Sequence, residues 1–228
     1  MSTPKLLESV LRRGELLFTK IQPLLQDPKH EFHDLAFVAN MCFCSSATND
    51  YYEKIGAESI GFVHQTAKHG PDGLLNGVGC EVKPTKGTAR IGKLGVINDD
   101  SAMKLLKDHT DCKWLVALRV AVDGSRVHWA VVAPFSYWEP VRFEKIVKKL
   151  GLETDATWKW GSTLPDDEKQ RVACLEDLVQ HHKKDHYVRS SELKVGVLDT
   201  IPSEDIRVWI HPDQPLKQVC PNVRKFKN

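Results

Sequence analysis

Two apolar runs, "KWLVALRVAV" from Lys113 and "RVHWAVVAPF" from Arg126, flank the turn Asp123-Gly124-Ser125. They are the strongest strand signals in the chain and predict a long β-hairpin. Helical patterns lie before it. Thr3-Pro4 forms a cap and first turn, and Leu6, Leu7, Val10, Leu11, Leu17 and Ile21 follow at helical spacing, with Pro23 near the end. A second apolar helix is expected over Phe32 to Phe43, and "YYEKIG" reads as a short helix closed by Gly56. "SAMKLLKDH" from Ser101 is a third helical pattern, capped by Asp99, Asp100 or Ser101. Between these lie "SIGFVHQ" from Ser59, "DGLLNG" from Asp72 and "GCEVKPT" from Gly79, short and bounded by glycine or proline as strands are. Beyond Pro140 the chain reads mostly helical, ending on "IRVWI" and the basic tail "VRKFKN". This order predicts an α/β fold with a mixed central β-sheet flanked by helices.

The 228 residues carry 41% hydrophobic and 27% charged side chains, enough for one domain with a real core. No apolar run approaches the roughly 20 residues that span a bilayer. The N-terminus has scattered charges and no apolar h-region, so a soluble, cytoplasmic protein without a membrane partner is expected. A net charge of +2 neither demands nor excludes nucleic acid. The six cysteines show no CxxC spacing, so reduced, mostly buried thiols in a reducing compartment fit better than zinc.

The chemistry concentrates in "HGPDGLLNGVGCEVKPTKG", His69 to Gly87. Alternation on a strand puts Glu81 and Lys83 on one face and Cys80 and Val82 on the other. Asn76-Gly77 is a strong hairpin turn that would fold Asp72 back beside Glu81. Two carboxylates held together need a cation between them, and hard oxygen ligands favour Mg2+. A lysine beside them steadies a water nucleophile or the charge building on a phosphoryl group.

Pro71-Asp72 followed by Glu81-Val82-Lys83 resembles the PD-(D/E)XK nucleases, especially type II restriction endonucleases. The resemblance covers about residues 48 to 133 and implies a restriction-endonuclease-like core of helix, three strands, helix and strand. Residues 1–47 and 140–228 would be helical additions, the latter a DNA-recognition or dimer element within one nuclease domain. It also implies that Asp72 and Glu81 bind Mg2+, that Lys83 serves the attacking water, and that Glu53 adds an acidic ligand from the preceding helix. The expected activity is hydrolysis of double-stranded DNA by a homodimer. A junction-resolvase-like repair nuclease and a non-catalytic DNA-binding protein are the alternatives.

The bare motif recurs. Five (D/E)xK matches occur, ending at Lys29, Lys83, Lys113, Lys169 and Lys194, and three Pro-Asp pairs, at Asp72, Asp166 and Asp213. Asp166 and Asp167 precede a helical pattern, where the helix dipole explains acidic side chains. Asp166 with Glu192 and Lys194 is the main rival, and Asp111-Cys112-Lys113 offers a substitute lysine. Only Asp72 with Glu81 and Lys83 joins a turn, a hairpin, a strand and a preceding helix. "PTKGTARIGKLG" then supplies Lys86, Arg90 and Lys93 among glycines, candidates for holding the DNA backbone. Gln65 and Asn76 are further DNA candidates, and His64, Lys68 and His69 would line the cleft. "HHKKDHYVR" from His181 reads as a basic helix end. Trp158 and Trp160 read as core or interface aromatics before base-stacking ones.

Overall fold

The computed structural model describes residues 4–44, 48–66, 70–89, 93–181 and 188–214. Four helices come first: α1 (Pro4–Leu11), α2 (Arg13–Gln26), α3 (His33–Cys44) and α4 (Thr48–Ser59). Strands β1 (Val63–His64), β2 (Gly73–Leu75), β3 (Val78–Lys86) and β4 (Lys93–Asp100) lead into α5 (Ala102–Asp111). The hairpin β5 (Cys112–Val120) and β6 (Val127–Pro134) follows, then α6 (Glu139–Leu150), α7 (Glu168–His181), β7 (Val188–Lys194) and β8 (Arg207–Ile210).

The fold is mixed α/β. Its central sheet runs β1-β2-β3-β5-β6-β8 and is antiparallel at every pairing except β3 with β5. That parallel pair is joined by a crossover through β4 and α5. β4 leaves the central sheet and pairs with β7 in a two-stranded ribbon.

Both faces of β5 and β6 are covered, and strands so placed read as continuous apolar runs. On one face, Tyr52, Ile55 and Ala57 of α4 pack with Cys80, Val82, Val116 and Leu118. On the other, Leu94, Ile97 and Leu193 of the ribbon cover Leu115, Ala117, Trp129 and Val131. A third cluster joins α5, α6 and α7 through Leu105, Phe143 and Leu175. Among the described residues, no helix is long and apolar enough to cross a membrane.

Three expectations are corrected. Gly56 does not close α4, which continues to Ser59 and shortens the strand expected there to Val63–His64. Gly56 instead lets α4 approach β3, since a Cβ there would come within 2.4 Å of Val82 Cγ1. The segment beyond Pro140 is helical in α6 and α7 but also contributes β7 and β8. β7 escaped notice because its outward positions, Glu192 and Lys194, are charged and its partner β4 is distant in sequence.

Candidate active site

Asn76 and Gly77 both have positive φ, 53° and 78°, as the two-residue primed turn requires. The turn pairs Gly73 with Cys80, which leaves Asp72 just outside β2. The Asp72 N–H donates to the Cys80 carbonyl at 2.9 Å. Its carboxylate accepts the Val82 N–H at 2.6 Å. Asp72 is thus tied, through backbone and side chain, to the strand that carries Glu81 and Lys83.

Glu81 and Lys83 form an ion pair and face a cleft of about 410 Å³ between β3 and α5. Asp72, Lys104, Asp108 and Cys112 also line it. Cys80 and Val82 turn the other way, into the core beneath α4. Gly95 of β4 covers Lys83 closely, because a Cβ there would lie 2.7 Å from Lys83 Cβ.

The electrostatics are those of acids crowded out of water. Burial, and then the charge of Glu81, push the Asp72 carboxyl up to about 7. Burial alone would lower the Lys83 ammonium, but Glu81, Asp72 and Glu53 outweigh it and hold it above the usual lysine range. Burial also raises Glu53, against the pull of Lys83. Glu53 comes from α4 on the other side of β3 and does not line the cleft.

Asp108 escaped the sequence reading. Ligand atoms of Glu81, Asp108 and Cys112 all lie within 4.8 Å of one another. Asp108 is fixed by Arg142, whose Nη2 donates to it at 2.8 Å and to Asp100 at 2.7 Å. In sequence it forms an ordinary i,i+4 pair with Lys104, seen here at 3.5 Å, and nothing marks it out. Cys112 reaches the cleft side through a β-bulge. Gly79 pairs with Cys112 and Cys80 with Trp114, so Lys113 is the extra residue.

The other candidates are scattered. Asn76 lines a separate apolar pocket with Phe62 and Trp114. The Gln65 N–H donates to the Asp72 carbonyl at 2.8 Å, while its side chain donates to Val63. Lys86 ends β3, and Lys93 opens β4 rather than lying in a loop, with its ammonium 3.2 Å from Glu192. Arg90, Lys68 and His69 lie outside the described residues, as does the chain from His182 to Tyr187. Lys113 donates to the His109 carbonyl at 3.3 Å, and Asp166 is exposed ahead of α7. The rival pair with Glu192 is therefore split between a helix start and the ribbon. Trp158 is a core residue, and Trp160 donates to Asp177 at 2.7 Å.

No family model, curated protein or solved structure matches the chain.

Proposed function

We propose that the protein is a Mg2+-dependent endonuclease acting on double-stranded DNA, of the type II restriction kind. The observation that carries this reading is the convergence of Asp72, Glu81 and Lys83 on one cleft, with Asp72 hydrogen-bonded to the backbone between the other two. The order α4, β1, β2, β3, β4, α5, β5, with β5 parallel to β3, supports a restriction-endonuclease-like core in which β4 is an extra strand that leaves the central sheet for the ribbon with β7.

The donors present suit a hard divalent ion. Asp72, Glu81 and Asp108 offer oxygens, Cys112 adds a sulfur beside Glu81 and Asp108, and burial, then the charge of Glu81, raises the Asp72 carboxyl to about 7. Bound there, Mg2+ would polarise a phosphodiester and lower the pKa of a coordinated water. Asp72 and Glu81 would hold it, with Asp108 beside them. Lys83, charged at neutral pH, orients the attacking water and offsets charge gathering on the phosphoryl oxygens. Glu53 acts at longer range, through its charge.

Cutting both strands of a duplex is met simply by two copies related by a two-fold axis. The outer face of α3 is the surface we assign to that contact: Leu35, Phe37, Val38 and Met41 are each more than half exposed.

The test is digestion of a mapped plasmid with and without Mg2+, using wild type and Glu81→Ala. Discrete fragments from wild type with Mg2+, and none from the variant, are expected. Cleavage of branched DNA alone would transfer the site to a repair nuclease. Intact DNA under every metal condition would sink the nuclease reading.

A further inference from the structure

Glu81, Asp108 and Cys112 each bring a ligand atom within 4.8 Å of the other two, and all three line the cleft beside Lys83. Asp72 lines the same cleft but stands outside that trio. The trio is buried, with Glu81 4%, Asp108 5% and Cys112 3% exposed. A zinc ion, with bonds of about 2.0–2.3 Å to oxygen and sulfur, fits a gap of this size after small side-chain rotations.

The sulfur is the informative donor. Of the three cysteines whose side chains are described, Cys80 packs beneath α4 and Cys174 among α5, α6 and α7. Only Cys112 of these lines a cleft that acids share, and its thiol has no hydrogen-bond partner among the described residues. Burial, then the charges of Glu81, Asp108 and Asp72, push that thiol well above its usual range. A divalent ion reverses the balance. It displaces the thiol proton to solvent, and its charge offsets the acids.

The carboxylate of Asp108 is held in place for such an ion. Arg142 Nη2 donates to its Oδ2 at 2.8 Å and Lys104 lies 3.5 Å from its Oδ1, which leaves each oxygen a second lone pair. Arg142 is 1% exposed and is pinned by Asp100, so Asp108 keeps its aim, as the outer partners of metal ligands ensure.

We propose that Glu81, Asp108 and Cys112 form a site for a thiophilic divalent ion of the zinc class, beside the oxygen site of Asp72 and Glu81. Mg2+ keeps to oxygen, whereas a thiolate selects zinc and softer ions. Glu81 belongs to both sites. An ion drawn toward Cys112 takes that carboxylate from Mg2+ and from its ion pair with Lys83. Zinc bound there therefore inhibits cleavage supported by Mg2+. The inhibitory role rests on the nuclease reading; the ion site does not.

The experiment titrates the full chain with Cd2+, followed by the sulfur-to-metal charge-transfer band in the ultraviolet, and with Zn2+, followed by competition with an indicator dye. Wild type should show the band. Cys112→Ser should lose it and bind Zn2+ at least about tenfold more weakly, with the wild-type circular-dichroism spectrum. Asp108→Asn keeps an acceptor for Arg142; it should retain the band and also lose at least about tenfold in Zn2+ affinity. In plasmid digestion, Zn2+ should suppress cutting supported by Mg2+. The Zn2+ concentration that halves each protein's own rate should rise at least about tenfold in Cys112→Ser. No band in wild type, a band that survives Cys112→Ser, or wild-type Zn2+ affinity in both variants overturns the site. Zinc binding with these losses but no effect on cutting overturns the inhibitory role. The same binding with no cutting under any metal leaves the ion site standing and removes only the nuclease reading.

Discussion

The carboxylate of Asp72 accepts its hydrogen bond from Val82, the residue between Glu81 and Lys83, at 2.6 Å. The bond fixes the aspartate over the strand, where burial, and then the charge of Glu81, disfavour its ionised form. Raised to about 7 from its ordinary 3.8, Asp72 keeps its proton in the folded chain where the unfolded chain has released it. Between about pH 4 and 7 the folded state thus binds more protons, and stability falls as pH rises. Asp72→Asn keeps an acceptor for Val82 without the charge. It should raise the Tm at pH 8 by several degrees and change it little at pH 4. A lower Tm at pH 8 would refute this account of the acid pair.

Gly95 has no side chain because Lys83 occupies the space. A Cβ would meet Lys83 Cβ at 2.7 Å, so Gly95→Ala should push the lysine out of line. Cleavage is expected to fall by about a hundredfold, the scale of a 1 Å misplacement. Circular dichroism and divalent-ion binding should stay near wild type. Unchanged cleavage would mean that the lysine position has no bearing on the reaction.

Arg142 is 1% exposed and holds Asp100, which is fully buried, together with Asp108. Arg142→Met would leave the buried Asp100 without its cation and Asp108 with Lys104 alone, at a cost of about 3–5 kcal/mol. For a protein of this size the Tm should drop by roughly 10 °C. Thermal and denaturant unfolding at pH 7 measure it directly.

The pairing assigned to α3 is tested by sedimentation. Wild type should be dimeric at micromolar concentration, and Leu35→Glu with Val38→Glu should be monomeric with an unchanged fold. A monomeric wild type would rule that surface out.

The β5–β6 hairpin was legible because both its faces are buried, which writes one long apolar run. Asp72, Glu81 and Lys83 were legible because a tight turn and a period of two are local rules. What escaped depends on distant chain. Ile97 pairs with Ser191, and neither residue carries a sign of the other. Asp108 meets Glu81 only because α5 lies in the crossover, and its partner Arg142 belongs to α6. Cys112 was hidden for a different reason. A one-residue bulge reverses which face a side chain occupies, and no residue type announces it.

The pairing of β4 with β7 bears on how the molecule can be divided. Residues 48–133 contain α4, β1 to β4, α5 and β5, together with most of β6, yet they leave two edges open. β4 would lose the strand that takes its hydrogen bonds, and β6 would lose β8. A fragment cut after the hairpin should therefore aggregate through those bare edges rather than survive as a minimal enzyme. Sequence that looks like an appendage beyond Pro140 is the selvedge that keeps the sheet from unravelling.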